Sequence, residues 1–457
     1  MRNRFYLVIA ALAIPMTCVP ALAQVDVTVN TCATTTGTVT GHVEWPASDP
    51  LWTFDFIRPE ASTGDDGSGL ELRDVYYDGN LVLGRAHVPV LNVEYDGSGC
   101  SCFRDWSDSE TGFRVDQDLP PNSQPGGCVF VADPGDVTTT CDSNEAGGSG
   151  GNTGNFEGVA VEEFPGELVL TTHMSAGWYR YRMKWHFYED GRIWPEYSFS
   201  AASATCTDQA HRHHAYWRFD FDIAGSGGDA VSEINPTTET TIEITSEADR
   251  TWGNGTDGIY WRVGDGVTGL GYQIVPSSAD LMLPVDPFSK TDALIARYDG
   301  TVDDAGGGCA INYSNIINGE TVQNEDIVFW YRSGALHNAG NPWECDIVGP
   351  TLIPDHITVP TIEGPSELVD GYVLESAYPN PFNPSTTVRF KVADKQNVTV
   401  SLLDALGRQV ATLFTGFVES NHFETVRIDG SRLPSGTYTV RLEGESVLGS
   451  TRIALIK

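Results

Sequence analysis

The sequence predicts an all-β chain, and three observations carry that expectation. Short runs rich in Val, Ile, Tyr, Phe and Thr recur along the 457 residues, separated by clusters of Gly, Asp, Asn and Pro. Asp-Gly pairs stand between apolar runs, where tight hairpin turns require them. No amphipathic pattern of helix length appears over most of the chain.

Taken in order, residues 1–23 read as a secretory signal. Arg2 and Arg4 form the charged start, Phe5 to Ile14 the apolar run, and Ala21-Leu22-Ala23 the small-residue cleavage site before Gln24. That run is too short for a membrane span, and nothing later is long enough for one. A soluble, exported protein is expected. Nine cysteines are present; Cys18 leaves with the signal, and an even set remains. In an exported chain this favours disulfides, whose pairing the spacing leaves open. Acidic residues number 62 against 27 basic, for a formal charge of −35. Nucleic acid would be repelled. The acidic surface is read either as plain solvation suited to high salt or as a field that attracts cations such as amines.

Tyr76-Tyr77-Asp78-Gly79-Asn80-Leu81-Val82-Leu83 reads as a hairpin, as does Glu189-Asp190-Gly191 between strands Tyr179–Tyr188 and Arg192–Phe199. Residues 143–155 are Gly-, Ser- and Asn-rich and read as a surface loop. Residues 24–354 then form the main domain. Pro360 and Gly364-Pro365 mark a linker over 355–371, and a compact segment fills 372–457.

That last segment carries Tyr378-Pro379-Asn380-Pro381-Phe382-Asn383-Pro384, then Leu403-Asp404-Ala405-Leu406-Gly407-Arg408, Pro434-Ser435-Gly436-Thr437-Tyr438 and Arg452-Ile453-Ala454-Leu455-Ile456-Lys457. In content and order these motifs resemble the C-terminal sorting domain of type IX secretion cargo. The resemblance implies a small β-sandwich, recognition by the type IX machinery, and delivery to the cell surface or medium.

Three stretches of the main domain could carry chemistry. In His211-Arg212-His213-His214-Ala215-Tyr216-Trp217-Arg218-Phe219-Asp220-Phe221-Asp222, alternation puts His211 and His213 on one face with Ala215, Trp217, Phe219 and Phe221. Two imidazoles on an apolar face need partners, and a transition metal is one solution. On the reverse face Asp220 and Asp222 share a side and suit a hard cation such as calcium. In Tyr179-Arg180-Tyr181-Arg182-Met183-Lys184-Trp185-His186-Phe187, Tyr179 faces the core. In Asp326-Ile327-Val328-Phe329-Trp330-Tyr331-Arg332-Ser333-Gly334-Ala335-Leu336-His337, a buried strand is expected to end at Gly334, and His337 just after it is a natural third imidazole. Three histidines and water suit copper(II).

Together these stretches resemble the catalytic domain of copper amine oxidases over roughly residues 50–354. The His-x-His strand leading into Arg-x-Asp-x-Asp is matched by His211, His213, Arg218, Asp220 and Asp222, and the third copper histidine by His337. The resemblance implies a large antiparallel β-sandwich, copper(II), and a topaquinone made from Tyr179. It also implies calcium on Asp220, the Phe221 carbonyl, Asp222, Asp326 and the Ile327 carbonyl. Oxidation of a small primary amine to an aldehyde, with ammonia and peroxide released, and a homodimer follow from the same resemblance. Gly69-Leu70-Glu71-Leu72-Arg73-Asp74-Val75 and Val93-Glu94-Tyr95 look like the family's first strands. Gly99-Cys100-Ser101-Cys102, with Cys128 later, resembles its Gly-Cys-x-Cys segment and disulfide partner. The chain departs from the family pattern in several places, and its connection between Tyr179 and His211 is shorter. Trp178 and Arg180 stand where the family has Asn and an acid, and the segment that carries the family's catalytic aspartate is missing between Tyr95 and Gly99. The alternative is a catalytically degenerate copper-binding or structural surface protein.

Overall fold

A computed structural model describes residues 25–96, 99–115, 127–139, 141, 154–201, 204–252, 257–283, 285, 289–300, 313–339, 345–355, 372–374, 382, 384–392, 395–403, 408–418, 424–444, 448–455 and 457. The expected signal segment, the Gly/Ser-rich run 143–153 and the linker beyond Asp355 lie outside the described residues. The chain forms two compact units, 1–359 and 360–457.

The first unit is built of strands β1 (Asp26–Val29), β2 (Gly41–Trp45), β3 (Trp52–Ile57), β4 (Glu71–Tyr77), β5 (Asn80–Tyr95), β6 (Phe103–Asp105), β7 (Val129–Ala132), β8 (Val159–Phe164), β9 (Glu167–Ala176), β10 (Tyr179–Tyr188), β11 (Ile193–Ala201), β12 (His211–Phe221), β13 (Asp229–Asn235), β14 (Thr240–Ile244), β15 (Ala248–Arg250), β16 (Tyr260–Asp265), β17 (Gly271–Val275), β18 (Ala293–Arg297), β19 (Ile327–His337), β20 (Asp346–Val348) and β21 (Thr351–Asp355). One short helix, α1 (Ser278–Met282), precedes β18. The fold is all-β, with large antiparallel sheets; β7 and β8 form a parallel pair.

A ten-stranded sheet runs β1-β2-β3-β4-β5-β12-β19-β18-β15, with β6 added to β5. An eleven-stranded sheet runs β14-β13-β16-β17-β21-β11-β10-β9-β8-β7, with β20 added to β11. The inner faces share one core, to which β12 gives Trp217, Phe219 and Phe221 and β10 gives Tyr181, Trp185 and Phe187. Alternation along each strand makes that possible, because every second side chain meets the facing sheet.

The expected turns form. Asp78 and Gly79 both take positive φ (48° and 71°) between β4 and β5, as a two-residue type I′ hairpin demands. β12 is buried on both faces. Its reverse face packs Tyr216 with Val90, Leu294, Ala296, Ile316, Val328 and Trp330. β19 does not stop at Gly334 as expected but runs on to His337. A side chain at Gly334 would sit 2.7 Å from Leu283 and 2.8 Å from the Arg332 guanidinium. A larger residue there would have to displace the ends of those two side chains, and the backbone stays extended.

The second unit holds β22 (Tyr372–Leu374), β23 (Ser385–Val392), β24 (Gln396–Leu403), β25 (Gln409–Val418), β26 (Glu424–Asp429), β27 (Gly436–Gly444) and β28 (Leu448–Leu455). Its sheets, β22-β23-β26 and β25-β24-β27-β28, share a core of Val388, Phe390, Val400, Leu402, Val440 and Leu442.

Candidate metal centre

The centre is positioned by strand register. β12 lies between β5 and β19, and His211 pairs with Tyr95 on one side and His337 on the other. His213 follows two residues along the same face. The three imidazoles converge, with ring centroids 5.0, 4.9 and 5.1 Å apart, and all three residues are buried. One ligand atom from each lies within 4.8 Å of the others.

Outer partners set the direction of the lone pairs. His211 Nδ1 is 2.7 Å from the Gln209 carbonyl and must donate to it, which leaves its Nε2 unprotonated. His337 Nε2 lies 2.9 Å from Asp346 Oδ2, off the line of an ideal bond. His337 Nδ1 then faces His211 Nε2 at 3.1 Å. Two nitrogens each about 2.0–2.1 Å from one metal ion would stand about 3 Å apart. His213 has neither nitrogen in a hydrogen bond, and Phe199 stacks on its ring at 4.7 Å. Burial, reinforced by His337 and His211, holds His213 well below its ordinary pKa, and burial brings His211 down to about 4. At neutral pH His211 and His213 offer lone pairs, the form that binds metal.

Tyr179 arrives from the opposite sheet. Gly177, with φ +56°, opens the two-residue turn between β9 and β10. Tyr179 follows it and lands edge-on against His213, centroids 4.7 Å apart. Its hydroxyl meets the Tyr95 hydroxyl at 2.5 Å, and the Trp178 indole donates to Tyr95 at 3.3 Å. Burial and the adjacent Tyr95 push the Tyr179 hydroxyl well above its ordinary pKa. Arg180 does not face the centre; its guanidinium donates to the Tyr179 carbonyl at 2.6 Å. Tyr181 stacks on Tyr179 at 5.6 Å and donates to Asp105, whose carboxyl burial pushes up to about 6.

On the reverse side Asp220, Asp222 and Asp326 each bring a carboxylate oxygen within 4.8 Å of the others. Phe221 and Ile327 face each other in register at the end of the β12–β19 ladder. Burial pushes Asp220 up to about 7 and Asp326 to about 6, and crowding by Asp222 adds to both. Asp229 is buried with neither oxygen in a hydrogen bond, and burial and then Asp222 push it up to about 8.

Sequence reading missed Asp346, the Gln209 carbonyl, Asp229, and the bonds Tyr95–Tyr179 and Tyr181–Asp105. One signal was available: Asp105 and Tyr181 both alternate inward on their strands. The disulfides differ from what the resemblance implied. Cys128 bonds to Cys32, Cys100 to Cys206 and Cys141 to Cys345, and Cys102 is also disulfide-bonded. The Cys128 backbone N–H also donates to the Cys32 sulfur at 2.9 Å.

No curated protein matches the chain by sequence. Among solved structures it is similar to an Aspergillus nidulans amine oxidase (16% identity, TM-score 0.47, 69% of this chain and 51% of that one). It is similar also to a Pichia pastoris lysyl oxidase (10% identity, TM-score 0.46, 83% and 56%) and a copper-containing benzylamine oxidase from Hansenula polymorpha (12% identity, TM-score 0.45, 69% and 59%). The chain spans 51% of the first of these. Residues 376–456 match the family model described as secretion system C-terminal sorting domain, so the chain ends in a sorting domain of exported cargo.

Proposed function

We propose that the first unit is an exported copper protein, with copper(II) held by His211, His213 and His337. One observation carries this reading: three buried imidazoles converge, and the carbonyl of Gln209 and carboxylate of Asp346 stand behind two of them. Imidazole donors suit copper, and copper(II) heads the usual affinity order of divalent metals. When bound, copper supplies one-electron exchange with a neighbouring phenol or with oxygen. The chain's own groups do the rest. Phe199 and the core exclude water, Gln209 and Asp346 orient two rings, and Tyr95 fixes the Tyr179 hydroxyl.

A second reading, primary-amine oxidation through a topaquinone made from Tyr179, is favoured by the Tyr179 ring lying edge-on to His213. Trp178 and Arg180 weigh against it, since neither supplies the carboxamide or acid that the resemblance leads one to expect. The same reading gives Asp220, Asp222, Asp326 and the Phe221 and Ile327 carbonyls to a calcium ion, with Asp229 beside them. The sorting domain directs the protein to the cell surface or the medium through the type IX machinery.

Copper content and quinone staining of one sample, after incubation with copper and oxygen, decide among these. Retained copper with a quinone stain supports the oxidase. Retained copper in colourless protein leaves the copper-binding reading and removes the oxidase. Protein that retains no copper refutes both.

A further inference from the structure

We propose that Tyr181 and Asp105 form a proton-coupled redox pair beside the histidine centre. In the step, Tyr181 loses one electron to an outer-sphere metal-complex oxidant, such as ruthenium(III) tris-bipyridine, which is reduced to ruthenium(II). The Tyr181 O–H bond breaks and its proton forms a new O–H bond on Asp105 Oδ2. The products are a neutral phenoxyl and a carboxylic acid, and re-reduction runs the same path backwards.

The argument starts from burial. Tyr181 is fully buried, so its proton has no route to water, and an oxidised phenol that kept it would leave a cation in an apolar core. Oxidation is therefore easiest at the phenol whose hydroxyl already points at a base. Three other phenols nearby lack one. Tyr179 and Tyr95 bond to each other, and Tyr197 pairs with the Ser107 hydroxyl at 3.1 Å. Tyr331 does donate to a carboxylate, Asp280, at 2.9 Å. Asp280, however, also accepts from the Ser277 hydroxyl and the Gly334 N–H, so both of its oxygens are already engaged by other donors. The rings packed on Tyr331 are Trp252 and Trp261 rather than the histidines.

Asp105 is delivered by β6, a three-residue strand added to the edge of β5, with Phe103 exposed and Asp105 turned inward. Its buried carboxyl is more basic than an ordinary one, yet ionised at pH 8. An electron path also exists. The Tyr181 ring stacks on Tyr179 at 5.6 Å and meets His213 edge-on at 6.0 Å. An oxidant held by the histidines is thus one ring contact away. The pair itself is made only of protein groups, so it stands apart from whether copper is retained.

The test uses the full-length, metal-free protein, oxidised by photogenerated ruthenium(III) tris-bipyridine and frozen for electron paramagnetic resonance. The expected result is a neutral tyrosyl radical whose yield falls at least about tenfold in Tyr181→Phe and in Asp105→Asn. Asn keeps the size and an acceptor oxygen but cannot take the proton. In unmodified protein the radical should form more slowly in heavy water, a readout that needs no variant to fold. A Tyr181→Phe radical at wild-type yield, an Asp105→Asn radical at wild-type yield, or equal rates in light and heavy water would each overturn the pair.

Discussion

His213 is buried with both ring nitrogens outside any hydrogen bond, a position in which each unmet polar atom costs about 1–3 kcal/mol. Copper would turn that penalty into a bond, so metal-free and loaded protein should respond oppositely to its removal. His213→Leu is expected to leave the metal-free melting temperature equal or higher. It should also abolish the rise that copper gives the wild type, worth about 2.7 kcal/mol at a hundredfold excess over Kd. Calorimetry with and without copper checks this, and a variant still stabilised by copper would remove His213 from the site. Asp346→Asn tests the ring-orienting role separately: affinity should weaken about 10–100-fold in a competition titration, with one copper still bound. The histidines were legible because period-two alternation and a third imidazole at the end of a buried strand are local patterns. Asp346 and the Gln209 carbonyl were not, because only tertiary packing brings them behind the rings.

The strands β9, β10 and β11 show the same division. Since Tyr179 faces the core, alternation turns Arg182, Lys184 and His186 away from it, but cannot say what they meet. They meet one another's counter-charges. Arg182 pairs with buried Glu196, and His186 sits 2.7 Å from Glu167 and 3.4 Å from Glu196. Burial alone would raise Glu196, yet Arg182 and His186 override it and hold its carboxyl well below the ordinary range. Burial alone would lower His186, yet Glu167 and Glu196 override it and raise the imidazole. The signs give a window. The stabilisation from Glu196 is present above its ordinary 4.5 and lost as pH falls through its lowered value. The stabilisation from His186 is present below its ordinary 6.5 and lost as pH rises through its raised value. This network therefore contributes most between pH 4.5 and 6.5. Glu196→Gln should cost about 3–5 kcal/mol by removing the carboxylate that pairs with buried Arg182 and should flatten the acid side of a melting-temperature profile against pH. An unchanged acid limb would mean that other carboxylates govern it. The turns were legible for the opposite reason: Asp78-Gly79 needs only its own two positive φ values.

Across the whole molecule, the disulfides tie down the segments that stand behind the histidines. Cys345 directly precedes Asp346 and bonds to Cys141, 204 residues away. Cys206 bonds to Cys100 and accepts the Gln209 N–H at 3.1 Å, while Gln209 in turn holds His211. Cys32–Cys128 joins the β1–β2 connection to the residue before β7, where Arg58 donates to the Cys32 carbonyl at 3.2 Å. The even cysteine count made bonds legible, but pairing depends on which loops the two sheets bring together, and sequence order carries no such information. All three loops are long, and closing each one constrains the unfolded chain by about 5 kcal/mol. Stability alone therefore does not tell them apart, whereas copper affinity should. Replacing Cys141 and Cys345 together with Ser, or Cys100 and Cys206 together, should weaken copper about tenfold or more, because the orienting carboxylate or carbonyl is released. Replacing Cys32 and Cys128 should lower the melting temperature by a similar amount and leave affinity unchanged. Competition titrations beside calorimetry on the three double variants make the comparison. Equal affinity in all three would mean that β12 and β19 orient the imidazoles unaided. The expected order instead ties a competent centre to the oxidising compartment in which those bonds form, which is where a chain with a C-terminal sorting domain is bound.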